Sequence, residues 1–284
     1  MLKLPALVKN KRAFERTMGA KYRIKRVPRM QHPIALEIGY AKYLKGIVTF
    51  VERQIAEKLF PRLPFLIRSA SIHRTDAYTD DLNEIFRTIR STVGDQFTDE
   101  QIRHAIRAHG LRVADWNRKQ MTRILSAALS IDIYSAEPWL AAELNGFIHE
   151  NVSLIESIPR DMLREAEIKV SAGIRQGLRV EELEKQIQSK FGVNEKASNR
   201  AELIARDQVG KFNGDLNHMR QTELGIEKYI WRTVKDERVR PYHADLEGTI
   251  QRWDDPPVVS KDGRRAHPGE DFQCRCQAEP VLNF

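Results

Sequence analysis

Apolar positions along the first two-thirds of the chain recur at helical spacing. Between Pro33 and Leu59, Ile34, Ala41, Val48 and Ile55 stand seven apart, and Leu44 and Val51 add a second seam. Such an a/d-like stripe predicts one long helix. Pro61 and Pro64 in "FPRLPFL" predict its end, because proline opposes continuation. "DDLNEIFRTIRSTV" predicts a second helix, with Leu82, Ile85, Ile89 and Val93 on one face and Asp80 and Asp81 at its positive end. A third begins at "TDEQ", where Thr98 and Gln101 have capping-box spacing. Ile102, Ile106, Val113 and Trp116 follow, with Gly110 as a candidate break or bend. A fourth starts near Pro138 and carries Leu144, Ile148, Val152 and Ile155. Pro159 predicts the first turn of a fifth, "RDMLREAEIKVSAGIRQG", with its stripe at Leu163, Ala166, Val170 and Ile174. "VEELEKQIQSKFG" reads as a short amphipathic helix closed by Gly192. "NRAELIARDQVGKFNGDLNHMRQTELG" reads as a further long helix closed by Gly225.

The period then shifts from 3.6 to 2. In "IEKYIWRTV", Tyr229, Trp231 and Thr233 alternate with Ile230, Arg232 and Val234, and the aromatic and β-branched content predicts a strand. "TIQRW" predicts a second strand, ending at Asp254 and Asp255, which mark a turn. "SKDG" is a turn, and "CRCQAEPV" predicts a last short strand. The expected fold is α+β and predominantly α-helical: a long-helix N-terminal body with a small β-containing C-terminal module. The expected division is a basic arm over 1–33, a helical body over 34–225 and a β-rich module over 226–284.

Charge sharpens the first of these boundaries. The 284 residues hold 47 Lys and Arg against 39 Asp and Glu, a net +8. Residues 1–33 alone hold ten of those bases (Lys3, Lys9, Lys11, Arg12, Arg16, Lys21, Arg23, Lys25, Arg26 and Arg29) against Glu15, a net +9. The basic excess therefore sits in the arm, and the remainder is close to neutral. A basic arm suits phosphate backbones without reading sequence, or an acidic protein surface, and equally a solubilising tail. The hydrophobic share of 41% is that of a globular protein. No run of eighteen apolar residues predicts a membrane span, and the N-terminus does not read as a signal peptide, so the protein is expected to start life in the cytosol.

The helical body carries no Gly-rich phosphate loop, nucleophile elbow or paired-carboxylate signature. His104 and His109 read as surface or packed histidines, without a partner at metal spacing. Candidate chemistry gathers near the C-terminus. Cys274 and Cys276, the chain's two cysteines, would face together on a strand with Arg275 opposite. With His243 and His267 they offer a Cys2His2 set for structural zinc. The spacing fits no standard finger, however, and the thiols can equally pack as small hydrophobes while the histidines bond locally. Asp236, Arg238, Arg240 and His243 admit a catalytic acid–base set, a phosphate site or a structural network. The network is the reading taken, since no nucleophile or second metal carboxylate stands beside them.

"RAELIARDQVGKFNGDL", "RQTELGIEKYIWRTVKDERVRPYHADLEG" and "HPGEDFQCRC" together resemble the phage Mu head protein F family, the minor head or head-morphogenesis proteins of tailed bacteriophages and prophages. The shared elements run in order: Ala205-Arg206, Trp231 to Thr233, Asp236 to His243, Gly248, His267-Pro268 and Cys274 to Cys276, with Arg275 between the cysteines. The resemblance covers about residue 145 to the end of the sequence. It implies a minor capsid protein acting in prohead assembly and DNA packaging or delivery, without enzymatic activity. Its implied partners are the portal and the capsid or scaffold proteins, with DNA through the basic arm. Its implied place is the virion near the portal vertex, and the host cytoplasm during assembly. The competing expectations are a metal-dependent nuclease and a prophage DNA-binding protein.

Overall fold

A computed structural model of the chain describes residues 28–72, 77–129, 137–191 and 196–282. In chain order the elements are α1 (Ile34–Lys58), a 3-10 turn (Phe60–Arg62), α2 (Leu63–Ile72), α3 (Ala77–Gln96), α4 (Asp99–Leu129), α5 (Leu140–Arg175), α6 (Val180–Phe191) and α7 (Lys196–Glu223). Then follow β1 (Lys228–Arg232), the short α8 (Pro241–Asp245), β2 (Ile250–Arg252) and β3 (Gln277–Pro280). The strands form an antiparallel sheet in the order β2-β1-β3, with Tyr229 opposite Gln251 and Trp231 opposite Ala278. The protein is thus α+β and predominantly helical. No helix among the described residues is long and apolar enough to cross a membrane.

Local signals mark helix ends at two places. The backbone N–H of Thr98 donates to Gln101 Oε1 at 3.1 Å, and that of Gln101 donates to the Thr98 hydroxyl at 3.3 Å. This reciprocal capping box starts α4. Gly225, at φ +77°, ends the chain's path out of α7.

Two local expectations are corrected and a third is extended. Pro159 lies inside one continuous helix, α5, instead of opening a new one. Proline within a helix costs about 3 kcal/mol. Ile155 and Ile158, in the turn just before it, are almost fully buried, and each such burial returns roughly 1.5–3 kcal/mol. Packing therefore outweighs the break. Gly110 neither breaks nor ends α4: a Cβ there would lie 2.6 Å from Leu144 Cδ1, so the glycine admits a close neighbour. Pro61 and Pro64 do end α1, but a new helix begins at once, with Pro64 in its first turn, where a missing N–H is harmless.

The chain divides into two compact units. One comprises Ile38–Arg107 and Ile148–Ala205. Its core joins the predicted stripes: Leu44, Val48, Val51 and Ile55 of α1, Leu82, Ile89 and Val93 of α3, and Ile155, Ala166 and Val170 of α5. Ile34, counted in the α1 stripe, is instead exposed. The buried hydroxyl of Tyr40 donates to Asn151 Oδ1 at 2.7 Å, and Arg200 bonds Asp161 at 2.6 Å and Ser157 at 2.7 Å.

The other unit comprises residues up to Glu37, Ala108–Phe147 and Arg206 onward. The boundary expected at residue 226 falls inside it. The strand-bearing segment gathers its own apolar cluster around Tyr229, Trp231 and Trp253, and it also shares buried polar bonds with α7. Gln221 Nε2 donates to the Ala278 carbonyl at 2.8 Å, Trp253 Nε1 donates to Gln221 Oε1 at 3.2 Å, and Asn213 Nδ2 donates to Gln277 Oε1 at 2.8 Å. Asn117 of α4 continues the ladder, donating to Asn213 and Asn217 at 2.8 and 2.7 Å. Arg220 bonds Asn117 at 2.5 Å and grips both oxygens of Glu137. The end of the expected basic arm is seated here too. Met30 is buried with Met121, Ile124, Leu125, Leu224 and Ile226, and the Gln31 N–H donates to Gln120.

Candidate functional site

The "HPGEDFQCRC" loop lies directly on one face of α7. Gly210 and Gly214 are four apart, hence on the same helix face. A Cβ at Gly210 would stand 2.5 Å from the Cys274 carbonyl oxygen, and one at Gly214 would stand 2.8 Å from the Pro268 carbonyl oxygen. Gly269, at φ +98°, meets the same face from the loop, where a Cβ would lie 2.7 Å from the Gly210 carbonyl. Backbone thus packs on backbone, which only side-chain-free positions allow. Two neighbours on α7 clamp the next residue. Asp207 Oδ1 accepts the Gln273 N–H at 2.8 Å, and Arg206 Nε donates to the Gln273 carbonyl at 2.9 Å. Gln273 is held at φ +52°, an uncommon conformation for a side-chain-bearing residue. That geometry delivers Cys274 and Cys276.

Cys274, Cys276 and His243 converge. His243 Nδ1 lies 3.5 Å from Cys274 Sγ and 3.6 Å from Cys276 Sγ, and all three side chains are buried. Both cysteines are free thiols. They precede β3 but face together, and they share an apolar cluster with Tyr229, Trp231, Trp253 and Ala278. Trp231 stands edge-on to the His243 ring, 5.4 Å between centroids. The short helix α8, unread in the sequence, carries His243. On the other side of its ring, His243 Nε2 meets Asp271 Oδ2 at 3.1 Å. Asp271 is buried and also accepts from the Phe272 N–H, Arg264 and Arg240.

Electrostatics polarise this cluster. Burial alone would lower the His243 pKa, but the Cys274 sulfur and then Asp271 outweigh it and raise it. The Cys274 thiol is pulled well below its ordinary value by the Cys276 hydrogen bond, against burial and with help from His243. Cys276 moves up, through the same bond and through burial.

His267, the fourth expected ligand, is elsewhere. Its Nδ1 is 2.8 Å from the Tyr229 hydroxyl, and its ring packs against Trp253 and His218. Burial lowers its pKa. Among the described residues, the gathered ligand atoms are those of His243, Cys274 and Cys276.

Several of the other residues singled out in the sequence line a cleft at this centre. This cleft of about 210 Å³ is lined by His243, both cysteines, Arg206, Asp236, Arg238, Arg240, Arg275 and neighbouring residues. Asp236 accepts the Arg238 N–H at 3.1 Å and faces Arg275 at 3.6 Å. Gly248, at φ +80°, donates its N–H to the Trp231 carbonyl and closes the turn beside the strand. Pro268 is buried against the α7 glycines. Lys9, Lys11, Arg12, Arg16, Lys21, Arg23, Lys25 and Arg26 lie outside the described residues, and Arg29 is exposed.

Sequence reasoning missed Asp271, Asp207, the two α7 glycines and Glu37. Only the i, i+4 glycine spacing offered a signal. Arg275 reaches Glu37 at the start of α1, donating from Nε at 2.9 Å and from a second nitrogen. His32 bonds the same carboxylate at 2.7 Å. Burial alone would raise the Glu37 pKa, but His32 and Arg275 outweigh it and hold it at about 2. The carboxylate therefore stabilises the fold above its ordinary value of 4.5, and that stability is lost as pH falls through about 2. The displacement corresponds to roughly 3 kcal/mol. Urea midpoints measured across this acid range are expected to fall more steeply for the wild type than for Glu37→Gln; parallel curves would refute the link.

Residues 165–279 match the family model described as "Phage Mu protein F like protein". An uncharacterized protein of Haemophilus influenzae is 37% identical over 146 residues, which are 51% of this chain and 31% of that protein. An uncharacterized protein of Methanocaldococcus jannaschii is 33% identical over 112 residues, 39% of this chain and 16% of that one. The chain thus spans less than a third of either relative's length. No solved structure matches it significantly. The matched segment holds the α7 glycine face, the sheet, α8 and the His–Cys–Cys centre, and it is over these residues that the chain is similar to the phage Mu protein F like family.

Proposed function

We propose that the protein is a bacteriophage minor capsid or head-morphogenesis component, acting in prohead assembly and in DNA packaging or delivery. The match over residues 165–279 carries this reading. Its mechanism is binding: to the portal and capsid or scaffold proteins, and to DNA through the basic arm. Its place is the virion near the portal vertex, after assembly in the host cytoplasm. The non-enzymatic part of this reading rests on the family resemblance, and several arginines in and around the cleft have carboxylate partners. In particular, Asp271 holds Arg240 and Arg264, and Glu37 holds Arg275.

The test is affinity capture of the tagged chain from phage-producing cells. Portal and capsid proteins are expected to co-purify and to co-sediment with heads; a chain that sediments free of heads would overturn the reading. For the arm, the deletion should stop at residue 27, because Met30 is part of a core. Loss of salt-dependent DNA binding on that deletion, with head association retained, separates the arm's role from the body's.

A second reading rests on one observation: the cleft brings Asp236, Arg238, Arg240 and His243 together. A metal-dependent nuclease would cleave DNA with Mg2+ or Zn2+, and His243→Ala would abolish the cleavage. Absence of cleavage with either ion rejects it.

A further inference from the structure

We propose that His243, Cys274 and Cys276 form a three-ligand zinc site whose fourth coordination position opens on the arginine-lined cleft. This goes beyond the assembly role and does not rest on it.

The distances carry the inference. With Zn–S of about 2.3 Å and Zn–N of about 2.0–2.1 Å, a tetrahedron has an N···S edge of about 3.6 Å. The two N···S distances here are 3.5 and 3.6 Å. A hydrogen-bond account fits one of these but not both, because a single Nδ1 has one proton or one lone pair to offer. A cation at the centre of the three atoms satisfies both at once.

The surroundings match a ligand's needs. Asp271 Oδ2 at 3.1 Å from His243 Nε2 fixes the proton on that nitrogen and leaves the Nδ1 lone pair toward the sulfurs. A carboxylate behind the imidazole is the usual outer support of a zinc-bound histidine. The Cys276 backbone N–H also points at Cys274 Sγ, at 3.4 Å, as N–H groups do toward thiolates. The plain alternative, thiols packed as small hydrophobes in the Trp231 cluster, explains their burial but not the shared nitrogen.

The coordination number follows from position. His267 bonds Tyr229 and is not among the gathered atoms. Among the described residues nothing else joins the three, and all three line the cleft with Arg206, Arg238, Arg240 and Arg275. The open position therefore lies in a cleft lined by four guanidinium groups, offset in part by Asp271 on Arg240, Glu37 on Arg275 and Asp236. That environment selects an oxyanion of the phosphate class over a neutral or cationic guest. Three protein ligands with an exchangeable fourth is the arrangement of reactive rather than purely structural zinc.

The experiment uses the full chain, purified reduced and without chelator. Metal analysis is expected to give one zinc per chain. Cys274→Ser and Cys276→Ser should each lose it, and His267→Gln should keep it. To guard against variants that fail to fold, the wild type is also stripped and reloaded with Co2+. Visible bands of a tetrahedral, thiolate-ligated cobalt are expected, and added inorganic phosphate should shift them. No zinc and no such bands would overturn the site. Loss of zinc from a folded His267→Gln, or cobalt bands indifferent to phosphate, would overturn the open fourth position.

Discussion

Gly210→Ala is expected to destabilise the protein by up to about 2 kcal/mol net, against the ordinary preference of a helix for alanine. In an open helix position this change stabilises by about 1 kcal/mol. Here the new Cβ would stand 2.5 Å from the Cys274 carbonyl oxygen, which is backbone. That oxygen cannot retreat cheaply, since Arg206 and Asp207 pin the preceding residue from both sides. Overpacking of this kind costs about 1–3 kcal/mol and outweighs the helix gain. The control is Gly46→Ala in α1, where nothing lies within 4 Å and a gain of up to about 1 kcal/mol is expected. Urea unfolding of both variants gives the answer. Equal and stabilising effects would show that the loop does not rest on the α7 face.

Glu137→Ala is expected to cost about 3–5 kcal/mol. Its carboxylate holds Arg220 in a two-pronged pair at 2.5 and 2.8 Å, and the Arg220 side chain is 5% exposed. Removing one partner leaves a buried guanidinium without its counter-charge, which is far more costly than the pair itself is stabilising. Arg220 also supports Asn117, and through it the Asn213–Gln277 ladder that ties β3 to α7. The loss should therefore extend to the sheet. Hydrogen exchange is expected to rise at the β1 and β3 amides as well as around Glu137. A cost below about 1 kcal/mol would place the pair with the weak surface bridges instead.

The helices were legible because each stripe and cap is a local signal. Thr98 and Gln101 wrote the start of α4 within four residues. Pro159 misled for the same reason: its local meaning is a boundary, and only the burial of Ile155 and Ile158 overrides it. The site was half legible. Period-two spacing put the two cysteines on one side, and their partner His243 stood in the quoted motif. His267 could not be placed, because a loop histidine has no periodic relation to a strand. Its partner Tyr229 is 38 residues away. Asp271 and the α7 glycines were illegible for a related reason. Their roles exist only once loop and helix touch.

The clamp on Gln273 has a kinetic consequence. Its bonds to α7 span 66 residues, and the β1–β3 pair Arg232–Glu279 spans 47. Closing a loop costs free energy only logarithmically in its length, so these separations weigh little on stability. They weigh on rate, because such contacts must wait for distant segments to meet. β1, the central strand, gains its β2 neighbour from nearby and its β3 neighbour last. Refolding of this unit should therefore show the Trp231 environment maturing after the helices have formed, and the thiol pair and its histidine should be the last groups to come together.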